Sequence, residues 1–151
     1  MQITRAADYA VRAMIHLASL PRGARPSHAE LAAAVDCPRQ FLSKVLQRLT
    51  RAGLIVSHRG KAGGFELLDS RRQASLLEVV EAVEGPLHLN RCLESAHSCE
   101  RQRWCPAHSV WVEGQAALVK ILRAATITEL ARKVNTESGP APDLGGVPVW
   151  N

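Results

Sequence analysis

The chain has 151 residues and a net charge of +5, with 46% hydrophobic residues but only 4% aromatic ones. This suits one compact domain, or one domain with an added arm, its core built mainly from Leu, Ala and Val in packed helices. No apolar run approaches the ~20 residues of a membrane span, and "MQITRAADYAVRAMIHLASL" is interrupted by Arg5, Asp8, Arg12 and His16, so it is no signal peptide. A cytoplasmic protein with reduced thiols is expected, in which clustered cysteines point to metal or redox chemistry.

Residues 6–20 repeat apolar side chains at Ala6, Tyr9, Ala10, Ala13, Met14 and Leu17, one face of a helix. After a loop, Ser27-x-x-Glu30 is a capping box for a short helix, with Leu31 and Val35 inward. Asp36-Cys37-Pro38 punctuates the chain, and Cys37 reads as a small, partly buried packing residue. Pro38 opens the next helix, which is expected to bury Phe41, Leu42, Val45, Leu46 and Leu49 and to stop at Gly53. "LIVSH" and "FELL" are two strands around the turn "RGKAGG". Ser75-x-x-Glu78 caps a helix that ends before Gly85-Pro86. A cysteine-bearing loop follows, then one long helix over residues 106–125 with Val110, Trp111, Leu118, Ile121 and Leu122 apolar. Thr126-x-x-Glu129 opens a last short helix, and the Gly/Pro-rich residues 136–151 read as a disordered tail.

This order predicts a mainly α fold with a small β-hairpin wing: a winged helix-turn-helix over residues 1–85, then a cluster loop and dimerisation helix over 86–135. Residues 37–65 carry six basic side chains and no Asp or Glu, a surface that attracts a polyanion. With the apolar side of the second motif helix turned inward, Arg39, Gln40, Ser43, Lys44, Gln47, Arg48 and Arg51 face out. Such side chains donate to base edges and phosphates. Arg59, Gly60 and Lys61 form the wing tip, where Gly60, Gly63 and Gly64 permit close backbone approach. Double-stranded DNA is the expected partner. No nucleophile–base arrangement or cofactor loop suggests an enzyme.

"RCLESAHSCERQRWCPAH" holds Cys92, Cys99, Cys105 and His108 in the spacing C-x6-C-x5-C-x2-H. Four readings stay open: unrelated surface thiols, a Cys3His zinc site, a thiol–disulfide switch, or an iron–sulfur cluster on three thiolates and one other ligand. The last suits gaps of six and five residues, because small tetrahedral sites use shorter knuckles. The rival from another class is a zinc- or thiol-dependent interaction or redox-carrier protein that does not act on DNA. The acid-free stretch opposes it.

"QITRAADYAVRAMIHLA", "LSKVLQRLTRAGLI", "SHRGKAGGFEL", "LLEVVEAVEGPL" and the cysteine loop together resemble the IscR–NsrR family of bacterial winged-helix regulators, over roughly residues 1–135. The resemblance implies a homodimer joined through the long helix and an operator of two-fold symmetry. It also implies one cluster per subunit sensing iron–sulfur status, redox or nitric oxide, with repression favoured over activation. His108 stands where the iron–sulfur biogenesis regulator has its histidine ligand to a 2Fe–2S cluster, the favoured type. Asp8 stands where the nitric-oxide-sensing branch uses an aspartate from the partner subunit on a 4Fe–4S cluster. Asp8 is also placed for an ordinary i,i+4 ion pair with Arg12.

Overall fold

The computed structural model describes residues 3–136. The expected tail lies outside the described residues, except that Thr136 ends the last helix. The element order is α1 (Arg5–Ser19), α2 (His28–Ala34), α3 (Arg39–Arg51), β1 (Ile55–His58), β2 (Gly64–Leu67), α4 (Leu76–Glu84), α5 (His108–Ala124) and α6 (Ile127–Thr136). Two single 3-10 turns, Asp69–Arg71 and Arg91–Leu93, add to the elements expected from the sequence.

Local chemistry sets the helix starts. Thr4 caps α1, and Ser27–Glu30 and Ser75–Glu78 form complete capping boxes on α2 and α4. Thr126 and Glu129 exchange the same pair of bonds at α6. These bonds stabilise the ionised glutamates, so Glu30, Glu78 and Glu129 all titrate below the ordinary glutamate value. Between α2 and α3 the chain turns through Asp36 at φ 50°, a left-handed conformation that Asp tolerates better than most residues. The Cys37 amide then bonds back to the Ala32 carbonyl at 3.0 Å.

The main core joins Ala10, Met14 and Leu17 of α1, Leu31 of α2, Leu42, Val45, Leu46 and Leu49 of α3, and Ile127 of α6. Phe41 departs from expectation: it is 39% exposed. The buried stripe of α3 starts one residue later, at Leu42, and Phe41 lies at its edge with its ring 5.5 Å from that of Tyr9. A smaller cluster of Leu77, Leu87 and Leu122 fixes α5 to α4. The chain returns where the Leu76 amide meets the Ala125 carbonyl at 2.8 Å, and α6 packs on α1.

The two strands pair antiparallel with Ile55 opposite Leu67 and Ser57 opposite Phe65. Directly opposed residues share a face. Ile55 and Leu67 therefore sink into the core at the hairpin's base, while Ser57 and Phe65 continue that face outward. Among the described residues, no helix is long and apolar enough to cross a membrane.

Candidate DNA-reading face and cysteine loop

At the start of α3, Arg39, Gln40 and Lys44 are exposed, as are Arg59, Gly60 and Lys61 on the wing. No acidic side chain interrupts this stretch. Gly60 adopts φ 95° with open space around it, so the turn needs a residue free of a Cβ there. Gly63 and Gly64 serve the wing itself. A Cβ at Gly63 would lie 2.3 Å from the His58 carbonyl oxygen, and one at Gly64 would lie 2.3 Å from that of Arg25. Their smallness lets the hairpin close and lets it pack on the loop before α2.

That packing is reinforced. The Phe65 amide donates to the Pro26 carbonyl at 3.0 Å. Glu66, the acid nearest the wing tip, has Arg25 Nε at 2.9 Å and His58 Nε2 at 2.7 Å from one carboxylate oxygen. The wing is thus braced against the helix-turn-helix, and its carboxylate is partnered.

Two expected DNA contacts have hydrogen-bond partners within the protein. Ser43 donates its hydroxyl proton to the Arg39 carbonyl at 3.0 Å and lies 2.9 Å from His28 Nε2. One hydroxyl has one proton, so His28 is the donor in the second bond. Arg48 donates from Nη1 to the Val83 carbonyl at 2.6 Å. This ties α3 to the last turn of α4, two residues before the Gly85-Pro86 stop that leads into the cysteine loop.

Cys92, Cys99 and Cys105 all line one cavity of about 510 Å³. Cys92 is buried, whereas Cys99 and Cys105 are partly exposed, and all are free thiols. Arg91, Arg101 and Trp111 share the lining, a pair of cations that the cysteine spacing alone did not single out. His108 is the first residue of α5 and is not among the lining residues. Its Nδ1 is buried without a hydrogen-bond partner. Among the described residues no three His, Cys, Asp or Glu side chains converge closely enough to hold a metal ion. Asp8 makes the i,i+4 ion pair with Arg12 at 2.9 Å, both side chains about half exposed. Cys37 is buried, away from this loop, and burial pushes its thiol pKa up, which keeps it protonated and inert at neutral pH.

The family model for Rrf2, an iron-dependent transcriptional regulator, matches residues 3–133. The chain belongs to the Rrf2 family. A Mycobacterium tuberculosis protein named as an HTH-type transcriptional regulator is 32% identical over 131 residues, spanning 87% of this chain and 81% of that protein. CymR, the global cysteine regulator of B. subtilis, superposes with a TM-score of 0.70 at 25% identity, covering 87% of this chain and 97% of that structure. IscR of T. potens superposes with a TM-score of 0.72 at 20% identity, covering 93% and 94%, a likeness of fold alone. The Rrf2 protein is accordingly a winged-helix transcriptional regulator and not an enzyme.

Proposed function

We propose that this Rrf2 protein is a homodimeric repressor whose affinity for a two-fold symmetric operator is set by an iron–sulfur cluster on Cys92, Cys99 and Cys105. The observation carrying this reading is the single cavity that all three cysteines line. The donor chemistry fits: three thiols, and two guanidinium groups to offset the negative charge of a thiolate-held cluster. His108 is the favoured fourth ligand, supported by an Nδ1 that is buried and without a partner, and with it 2Fe–2S is favoured over 4Fe–4S. Asp8 is the alternative, and its recruitment would break the pair with Arg12. When bound, the cluster supplies a centre that responds to iron–sulfur supply, oxidation or nitric oxide.

Residues 1–85 act as the reading module, and 86–135 as the sensing and pairing module. Arg39, Gln40 and Lys44 address the major groove, while Arg59, Gly60 and Lys61 address the neighbouring backbone. Ser43 and Arg48 position α3 rather than touch bases. Arg48 holds α3 to α4, and Leu87 and Leu89 hold the start of the cysteine loop to α5. Leu87 does so through the Leu77–Leu122 cluster, and Leu89 through a 3.0 Å bond from its amide to the Gln115 side chain. A contraction or release of the loop therefore bears on both α5 and the reading helix. A hundredfold change in operator affinity needs only about 2.7 kcal/mol between the two states.

The test is anaerobic reconstitution with iron and sulfide counted per subunit. Cys92→Ala, Cys99→Ala and Cys105→Ala should each hold essentially no cluster. His108→Ala should keep a labile one with a shifted spectrum, and Asp8→Ala a nearly normal one. Loss in Asp8→Ala with a normal His108→Ala would transfer the fourth ligand to Asp8 and favour nitric oxide as the signal. A colourless wild-type protein containing zinc would replace the cluster with a structural metal site.

A further inference from the structure

A second cavity, of about 490 Å³, opens to solvent between α3 and the wing, lined on one side by Gln47 and Arg51 and on the other by Ser57 and Phe65. On α3, Ser43, Gln47 and Arg51 recur every four residues and so form one face. Opposite them, Ser57 and Phe65 are cross-strand partners on one face of the hairpin. The lining holds one cation, Arg51, and no carboxylate. Gln47, Arg51 and Ser57 are all exposed.

The walls are held at a set separation. His28 also lines the cleft, 2.9 Å from Ser43 on the helix side and with its ring 6.4 Å from that of Phe65 on the wing side. Gly64 and the Phe65–Pro26 bond keep the hairpin from swinging away. A cleft with fixed walls, one guanidinium and neutral donors on both sides suits a monoanion that enters from solvent.

We propose that this cleft seats one phosphodiester of the operator backbone, with Arg51 as its charged donor, Gln47 and Ser57 as neutral donors, and His28 as the residue that sets the cleft's width. The proposal rests on the DNA-binding reading and adds a site to it. The chemistry recognised is a phosphate ester or ion. The operator backbone is the favoured source because every lining residue but His28 falls in the acid-free stretch of residues 37–65, which also carries Lys44 and Arg59.

The test is titration of operator and scrambled duplexes over a range of salt with the full-length protein. Arg51→Ala should weaken both duplexes alike, about tenfold, and lower the salt slope by about 0.9, the signature of one lost phosphate contact. Ser57→Ala should weaken both roughly threefold. Thr50→Val is the control: Thr50 lines the same cleft but its hydroxyl oxygen is covered and without a partner, so binding should not change. His28→Phe, which keeps a ring but loses the bond to Ser43, should weaken operator binding without a drop in melting temperature. An unchanged salt slope in Arg51→Ala, or an equal loss in Thr50→Val, would overturn the phosphate seat while leaving DNA binding by Arg39 and Gln40 intact. Wild-type protein that binds neither duplex at low salt would overturn the DNA reading itself. Competition by millimolar inorganic phosphate at constant ionic strength, abolished by Arg51→Ala, would mark a free-anion site and contradict a backbone seat.

Discussion

Three arginines on one helix do three different things. Arg39, at the first turn of α3, is exposed and unengaged by any acid nearby in sequence. Arg51, at the last turn, faces the wing cleft. Arg48, between them, is bonded to the Val83 carbonyl. Sequence pattern sorts these residues only into outward and inward, so all three read as DNA contacts. The difference lies in a partner 35 positions away in the chain, which no local spacing reveals. The same holds for His28 and Ser43, 15 positions apart. Reading and anchoring should separate on substitution. Arg39→Ala or Gln40→Ala should relax preference at particular base pairs by about 1–3 kcal/mol. Arg59→Ala or Lys61→Ala should weaken all sequences evenly and flatten the salt dependence. Operator titrations with single base-pair changes would check this, and uniform losses from all four variants would contradict it.

Among elements, the ends were legible and one face was not. Ser27, Ser75 and Thr126, each with a glutamate three residues on, announced three helix starts because a cap is a contact within one turn. Phe41 misled because it adjoins the inward stripe: a step of 100° from Leu42 is enough to leave its ring at the boundary. The hairpin was legible from its glycines, although Gly63 and Gly64 turned out to serve packing within the protein. The caps also imply a pH dependence. Glu78 is bonded by the Ser75 amide and hydroxyl, which lowers its pKa in the folded state. Its stabilising contribution is therefore complete above the ordinary glutamate range and is lost as pH falls through that range and below. Ser75→Ala should cost about 1 kcal/mol at neutral pH and make the fall in stability toward pH 3 shallower. Urea denaturation from pH 7 to pH 3 would measure both. An unchanged acid profile would show that other carboxylates dominate.

At the scale of the whole molecule, α5 leaves an apolar surface that the other described residues do not cover. Val110 and Ile121, about three turns apart on one side of the helix, are 64% and 66% exposed. An exposed apolar helix face marks a protein contact, and pairing of two α5 helices would cover it. Because these side chains are exposed, Ile121→Asp and Val110→Asp should keep the helical content and yield soluble monomers by light scattering, with operator binding weakened at least tenfold. A wild-type monomer at micromolar concentration would contradict this.

The cysteine loop stands out in the sequence as a set of candidate ligands, since three cysteines and a histidine in 17 residues carry their own signal. The proposed link to the reading helix has no such signal, because it would run through Arg48 and Val83, then through packing around Leu87. Whether the loop's metal content governs DNA affinity is decided by anaerobic operator titration of one reconstituted preparation before and after chelation of its iron. Kd should change at least tenfold, with Cys99→Ala behaving as the iron-free protein under both conditions. Equal affinities for the reconstituted and iron-free wild-type protein would contradict it.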